Sequence, residues 1–251
     1  MFFWHKRSTI TLDCFTYLET TALNHPIARA GKFYPEEFRD LPKSVGMKIS
    51  TNPRSNILTD LLTVKSCNGL TDLYRNGFVL PAWDKFDLEM LGESNFLINN
   101  LTGIVKGEYH SREQYKTEFF KGYAHVKLLS PWYIKEKSGV QFVWMHPMWN
   151  KSNNIQNLSI LPAVIDFKKQ HVSHVNTFVK IGSIISFDAG DPLVHMIPIS
   201  DKKIKINIHC VSQEEWMKEK FQMDFHSHIL NHRNLEIPEI FKNKKKCPFG
   251  F

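Results

Sequence analysis

The chain lacks any apolar run approaching the roughly 18–20 residues that a membrane-spanning helix needs. This argues for a soluble protein with no membrane partner. Cysteines are few and far apart: Cys14, Cys67, Cys210 and Cys247. None falls in a C-x-x-C pair, so no metal site of the usual zinc kind is expected, and the thiols should be free in a reducing compartment. Glycine is sparse at 12 residues, and no glycine-rich loop for cradling phosphates can be recognised. Met1-Phe2-Phe3-Trp4 is followed at once by His5, Lys6 and Arg7, which is unlike a secretory signal. Paired acid–base carboxylates and a Ser-His-Asp arrangement are also missing. There is no internal repeat and no low-complexity linker, which favours a single compact domain.

What is present suits a well-packed core. Of 251 residues, 42% are hydrophobic and 23% charged, ordinary proportions for a globular chain. Aromatics are abundant, with 19 Phe, 7 Tyr and 6 Trp. In a β-rich protein most of these fill the core and form cross-strand pairs. The formal charge of +7 favours acidic partners, nucleic acid among them. The positive charge is scattered, however, and clusters only at Lys202-Lys203-Ile204-Lys205 and Lys242-Asn243-Lys244-Lys245-Lys246.

Residues 1–60 read as an irregular N-terminal elaboration. Ser8–Tyr17 alternates like a strand, and Pro26, Pro35, Pro42 and Pro53 break up the rest. Pro35 would open one helical turn. Residues 61–251 read as a β-rich domain with a C-terminal helix. Leu62–Lys65 looks like a strand, Asn68-Gly69 like a turn, and Thr71–Asn76 like a short helix stopped by Gly77 at C′. Phe78–Trp83 is an apolar strand, and residues 88–107 a hairpin or loop.

Ser111–Gln114 and Ser212–Glu215 both fit the capping-box pattern. From the second, a helix is expected to run to about Asn231, with Met217, Phe221, Phe225 and Ile229 as its apolar stripe. Two strands joined by Lys137-Ser138-Gly139 follow Trp132. In the second, Val140, Phe142, Trp144 and His146 share one face, and both faces are largely apolar, as in a central strand.

The most informative stretch is Leu161–Ser200. It reads as a strand carrying Ala163-Val164-Ile165-Asp166, two further strands, a tight turn at Ala189–Pro192, and an apolar strand leaving it. Ile204–Cys210 alternates Ile with Lys, Asn and His, as a strand with one buried face would. The expected class is mainly β (α+β), with a barrel or jelly-roll-like core.

Two groups of residues suggest binding. Trp132, Tyr133, Trp144, His146 and Trp149 would line a stacking wall for a ligand, or form core or a subunit interface. His226, His228 and His232 cluster near the C-terminus, and His228 and His232 would share a helix face. No Glu stands beside them in an H-E-x-x-H pattern, so a solvent-facing stripe is preferred over a metal site. His171 and His174 lie three apart.

The string Lys127-Leu128-Leu129-Ser130-Pro131-Trp132-Tyr133-Ile134-Lys135 resembles a conserved uncharacterised protein family of tailed, marine T4-like bacteriophages. Gly139, His146-Pro147, Val164-Ile165-Asp166, Val175-Asn176 and Gly190-Asp191-Pro192-Leu193 fit the same family. Thr63–Gly69 and Gly77–Asp84 extend the likeness upstream. The resemblance implies a phage origin and a β-rich fold, and brings no activity with it.

A narrower likeness joins Ala163–Asp166 to Gly190–Ile197, which together resemble the closing half of the dUTPase and dCTP deaminase barrel. It would make Asp166 the catalytic residue, with Mg²⁺ as cofactor. The family's other elements are missing. Phe167-Lys168-Lys169 stands where Tyr-Arg-Gly is expected, and no Ser-Gly-Leu-Ala or closing Ser-Thr-Gly occurs. The sequence therefore points to a phage-encoded, non-enzymatic binding or structural protein without a cofactor, in the virion or the host cytoplasm. Its partner would be itself or another phage protein. A nucleotide hydrolase and a nucleic-acid-binding protein are the alternatives.

Overall fold

The computed structural model describes residues 9–49, 58–115, 118–147 and 156–221. In chain order the N-terminal part comprises β1 (Ile10–Thr16), α1 (Glu19–Asn24), β2 (Ala28–Arg29), α2 (Glu36–Asp40) and β3 (Ser44–Ile49). β4 (Leu58–Leu62), α3 (Asn68–Asn76) and β5 (Phe78–Pro81) follow. The middle holds β6 (Phe86–Gly92), β7 (Asn95–Asn99), β8 (Gly107–His110), β9 (Tyr123–Leu128), β10 (Tyr133–Glu136) and β11 (Gln141–Met145). The chain continues through β12 (Leu158–Ile160), β13 (Ala163–Asp166), β14 (Val175–Lys180), β15 (Ile184–Phe187), β16 (Pro192–Pro198) and β17 (Ile204–Cys210). A last helix, α4, spans 213–221.

The class is mainly β with short helices, as expected. Among the described residues the barrel is not seen: their strands form five sheets, in the orders β10-β1-β17, β13-β11-β16-β5-β2, β12-β14-β9-β8, β15-β6-β7 and β3-β4. Among the described residues none of these closes on itself. One reason lies at the end of β10. Instead of folding back as a hairpin, the chain turns a corner, so β10 and β11 join different sheets.

The buried Glu136 carboxylate makes that corner by accepting the backbone N–H groups of Ser138 (2.7 Å), Gly139 (2.6 Å) and Val140 (3.0 Å). The Ser138 hydroxyl donates to it as well. Gly139 sits at φ +80°, a conformation that favours glycine.

Among the described residues of the N-terminal sixty, Ile10, Leu12, Cys14, Ala22 and Ile27 belong to the main core. β1 lies between β10 and β17, pairing antiparallel with one and parallel with the other. Its alternation buries Ile10, Leu12, Cys14 and Thr16. β11 is an inner strand between β13 and β16, with Phe142 and Trp144 buried. The four residues of β5 are all buried. One cluster of apolar side chains runs through β1, β5, β6, β9, β11, β14 and β16. At roughly 25 cal/mol per Å² of apolar surface, this burial is the main favourable contribution to folding.

The Leu161–Ser200 reading matches strand for strand. The turn before β16 has Gly190 at φ +92°, and the Asp188 N–H donates to the Asp191 carboxylate at 2.9 Å. Gly190 N–H donates to Ala82 O, and Ala82 N–H donates to Asp191 O, both at 2.8 Å. The turn is thereby tied to the end of β5.

Several local expectations fail for identifiable reasons. Asn68-Gly69 opens α3 instead of making a turn. Val64–Ser66 is a 3₁₀ turn capped by the Thr63 hydroxyl, not strand. Gly77 is extended at φ −85° and not left-handed, so crowding requires glycine there, not backbone conformation. Ser111 precedes only a 3₁₀ turn and makes no side-chain cap.

The hairpin turn in residues 88–107 falls at Glu93-Ser94. The Ser212 box is formed, with Ser212 N–H donating to the Glu215 carboxylate (3.1 Å) and Glu215 N–H to the Ser212 hydroxyl (3.2 Å). Its buried anchor is Trp216, while Met217 and Phe221 are 52% and 73% exposed. Phe225 and Ile229 lie outside the described residues.

Candidate functional site

Among the described residues, two hollows carry chemically useful side chains. The first forms where the β9–β10 connection meets α4. Ser130 and Ser173 brace that connection. A carbonyl can only accept, so the Ser173 hydroxyl donates to Trp132 O (2.7 Å) and takes a bond from the Ser130 hydroxyl (2.9 Å). The Ser130 oxygen also accepts Trp132 N–H at 3.2 Å. The Trp216 indole N–H donates to Pro131 O at 2.8 Å, and its ring meets Tyr17 edge-on at 5.0 Å. These contacts dock α4 beside a cavity of about 390 Å³ lined by Tyr17, Lys106, Ser130, His174, Trp216 and Lys220 among others.

His174 is the unusual member. Its Nδ1 is shielded and has no partner. Burial, then Lys127 and Lys220, push its pKa down to about 4, against an opposing pull from Glu108. The imidazole is therefore neutral at pH 7 and carries an unused hydrogen-bonding atom. Lys220 lies 5.6 Å from the centre of the Trp216 ring, a cation–π distance.

The second hollow, of about 550 Å³, lies at the start of β1 and β17, beside the edge strand β2. Arg29, Lys202 and Lys203 line it with Asp201, Thr9, Asn76 and Ser200. The Arg29 guanidinium donates to Ile204 O at 2.6 Å and lies over Phe78 at 4.5 Å, bridging the edge of one sheet to the first strand residue of another.

A third polar group decorates the outer side of β1. The Asp13 carboxylate accepts from His209 Nε2 and Asn207 Nδ2, each at 2.9 Å. Burial raises the Asp13 pKa, and these bonds outweigh that effect, so the group stays below the usual carboxylate value. Phe15 stacks between Tyr133 (4.7 Å) and His209 (4.5 Å).

The residues singled out in the sequence do not converge. The Asp166 carboxylate accepts Lys168 N–H at 3.0 Å and pairs with the Lys169 ammonium at 3.2 Å, capping the turn after β13. Trp132 and Trp144 are 1% and 2% exposed and Tyr133 is buried, so these three fill the interior instead of lining an open wall. Trp144 packs on Phe167, which also meets Phe142.

His146 is half-buried, with both ring nitrogens shielded and unpartnered and its pKa lowered by burial. His171 Nδ1 donates to Ile134 O at 3.1 Å, away from His174's role. Among the described residues no three of His, Cys, Asp and Glu gather as a metal site. Trp149, His226, His228, His232 and the Lys242–Lys246 cluster lie outside the described residues.

Arg29 and Trp216 were missed by sequence reasoning. Trp216 had a usable signal, four residues after the capping Ser212. Arg29 had none, because its partner Ile204 is 175 residues away. No helix among the described residues is long and apolar enough to cross a membrane. Comparison with protein-family models, curated proteins and solved structures gives no match.

Proposed function

We propose that this chain is a phage-encoded binding or structural protein, acting in the virion or the host cytoplasm, and not a nucleotide hydrolase. The observation that supports this reading is what the residues of the phage resemblance do in the fold. Ser130 and Trp132 are tied to Ser173, Gly139 feeds the Glu136 corner, and Gly77 lies against His195. Gly190 makes the turn that abuts His25. These are framework roles, and such a set would preserve a shape more directly than a reaction.

Asp166 agrees with this. A carboxylate engaged by a backbone N–H and a neighbouring ammonium is poorly placed to orient an attacking water. The partner in this reading is a second copy or another phage protein. Trp132 and Trp144 are already covered by the chain itself, so the apolar surface offered to such a partner comes from other side chains, the exposed Leu62, Leu101, Met217 and Phe221 among them.

Mass spectrometry of purified particles and of infected cells tests the setting. Recovery from particles supports a virion protein, and recovery from cells alone an accessory factor. Absence from both overturns the proposal.

A further inference from the structure

The hollow at the start of β1 and β17 has properties that go beyond a general binding role. Three cations, Arg29, Lys202 and Lys203, line it against one carboxylate, Asp201. None of the three cations forms an ion pair with a carboxylate of the described residues. Unneutralised like charges held around one hollow repel each other, and an anion entering it would relieve that repulsion.

The arrangement is also partly fixed in advance. The hydrogen bond to Ile204 O and the Phe78 ring beneath hold the Arg29 guanidinium in place. That bond uses one of its five N–H donors and leaves a planar fork suited to two oxygens of one anion. Neutral donors stand beside it. The Ser200 oxygen accepts Lys202 N–H at 3.1 Å, which leaves the hydroxyl proton free to donate. Thr9 and Asn76 complete the polar lining. A volume of about 550 Å³ is in the range of small-ligand sites and exceeds what a bare ion fills.

We propose that this cleft binds a phosphate-bearing ligand, supplied either by a nucleic-acid backbone or by a free nucleotide. Arg29 grips the phosphate oxygens, and Lys202 and Lys203 neutralise the charge.

Fluorescence anisotropy with a labelled single-stranded oligonucleotide tests this in the full chain, with unlabelled deoxynucleotide and inorganic phosphate as competitors at fixed ionic strength. The Lys202→Gln/Lys203→Gln pair should weaken binding by about tenfold or more and lower the salt slope by about two. The pair's thermal midpoint should stay where it was. Lys121→Gln/Lys180→Gln removes the same charge from exposed positions elsewhere and should leave affinity unchanged. Displacement by nucleotide or phosphate identifies a free-phosphate site, and resistance to both identifies the polymer backbone. Failure of the parent chain to bind oligonucleotide, nucleotide or phosphate overturns the proposal. So does an equal loss in both lysine pairs, which would mean that only overall charge matters.

Discussion

His195 occupies the space that a side chain at Gly77 would need: a Cβ there would lie 2.2 Å from His195 Nε2 and 2.5 Å from Leu73 O. The same Nε2 donates to Leu73 O at 3.1 Å, so β16 is bonded to the last turn of α3 across the gap that glycine leaves open. Because Gly77 is extended, alanine would suit its backbone, and the cost of Gly77→Ala is purely steric. It should destabilise the fold by about 3 kcal/mol in denaturant titration. His195→Ala in the same chain should give a less than additive loss, since the two residues share one contact. A Gly77→Ala chain as stable as the parent would refute this packing.

Glu136 holds the corner that separates β10 from β11. Burial raises its carboxyl pKa, and the bonds from Ser138, Val140 and Gly139 outweigh that, leaving it below the ordinary value of 4.5. A carboxyl with a depressed folded pKa contributes stability that is complete above about 4.5. That stability is lost as the pH falls through the lower folded value. Glu136→Gln should cost about 2 kcal/mol at neutral pH, by leaving backbone donors unmatched, and should flatten the acid limb of the stability profile. A variant with an unaltered acid limb would show that the corner does not depend on this charge.

His174 gives the chain a second pH dependence at milder acidity. Its folded pKa of about 4 lies below the ordinary 6.5, so as the pH falls the unfolded state takes up the proton first. Stability is therefore full above about 6.5 and declines towards 4. His125, His146 and His195 are shifted in the same direction by burial. Between pH 7 and pH 5 the chain should lose up to about 2 kcal/mol through His174 alone, measured by denaturant midpoints. His174→Asn should make that stretch of the curve shallower. A profile that is level from pH 7 to 5 would mean that the imidazole is not enclosed in solution.

Local chemistry was readable in the sequence, and long-range pairing was not. Ile10–Thr16, the Leu161–Ser200 strands and the Ser212 capping box follow from side-chain alternation and from one hydroxyl–carboxylate exchange, both confined to a few residues. Asn68-Gly69 misled because its intrinsic turn preference is overridden when Tyr74, on the same helix, packs among Ala30, Val79 and Tyr34. The barrel expectation rested on the order of elements in Leu161–Ser200, whose four strands are shared among three sheets, and the Glu136 corner likewise sends β10 and β11 to different sheets. For the basic cleft, Lys202-Lys203 was visible as a charge cluster. Its third cation, Arg29, reaches it only because β2 and β17 come together in space.

Turnover of deoxynucleotides is the most direct measurement of whether this chain binds or reacts. Purified protein with Mg²⁺ should release no pyrophosphate from dUTP or dCTP above the uncatalysed rate. Asp166→Asn should change only the turn after β13, lowering stability by about 1 kcal/mol through the lost cap. Steady pyrophosphate release by the parent chain, abolished by Asp166→Asn in a variant that remains folded, would contradict the account and make this protein a nucleotide hydrolase.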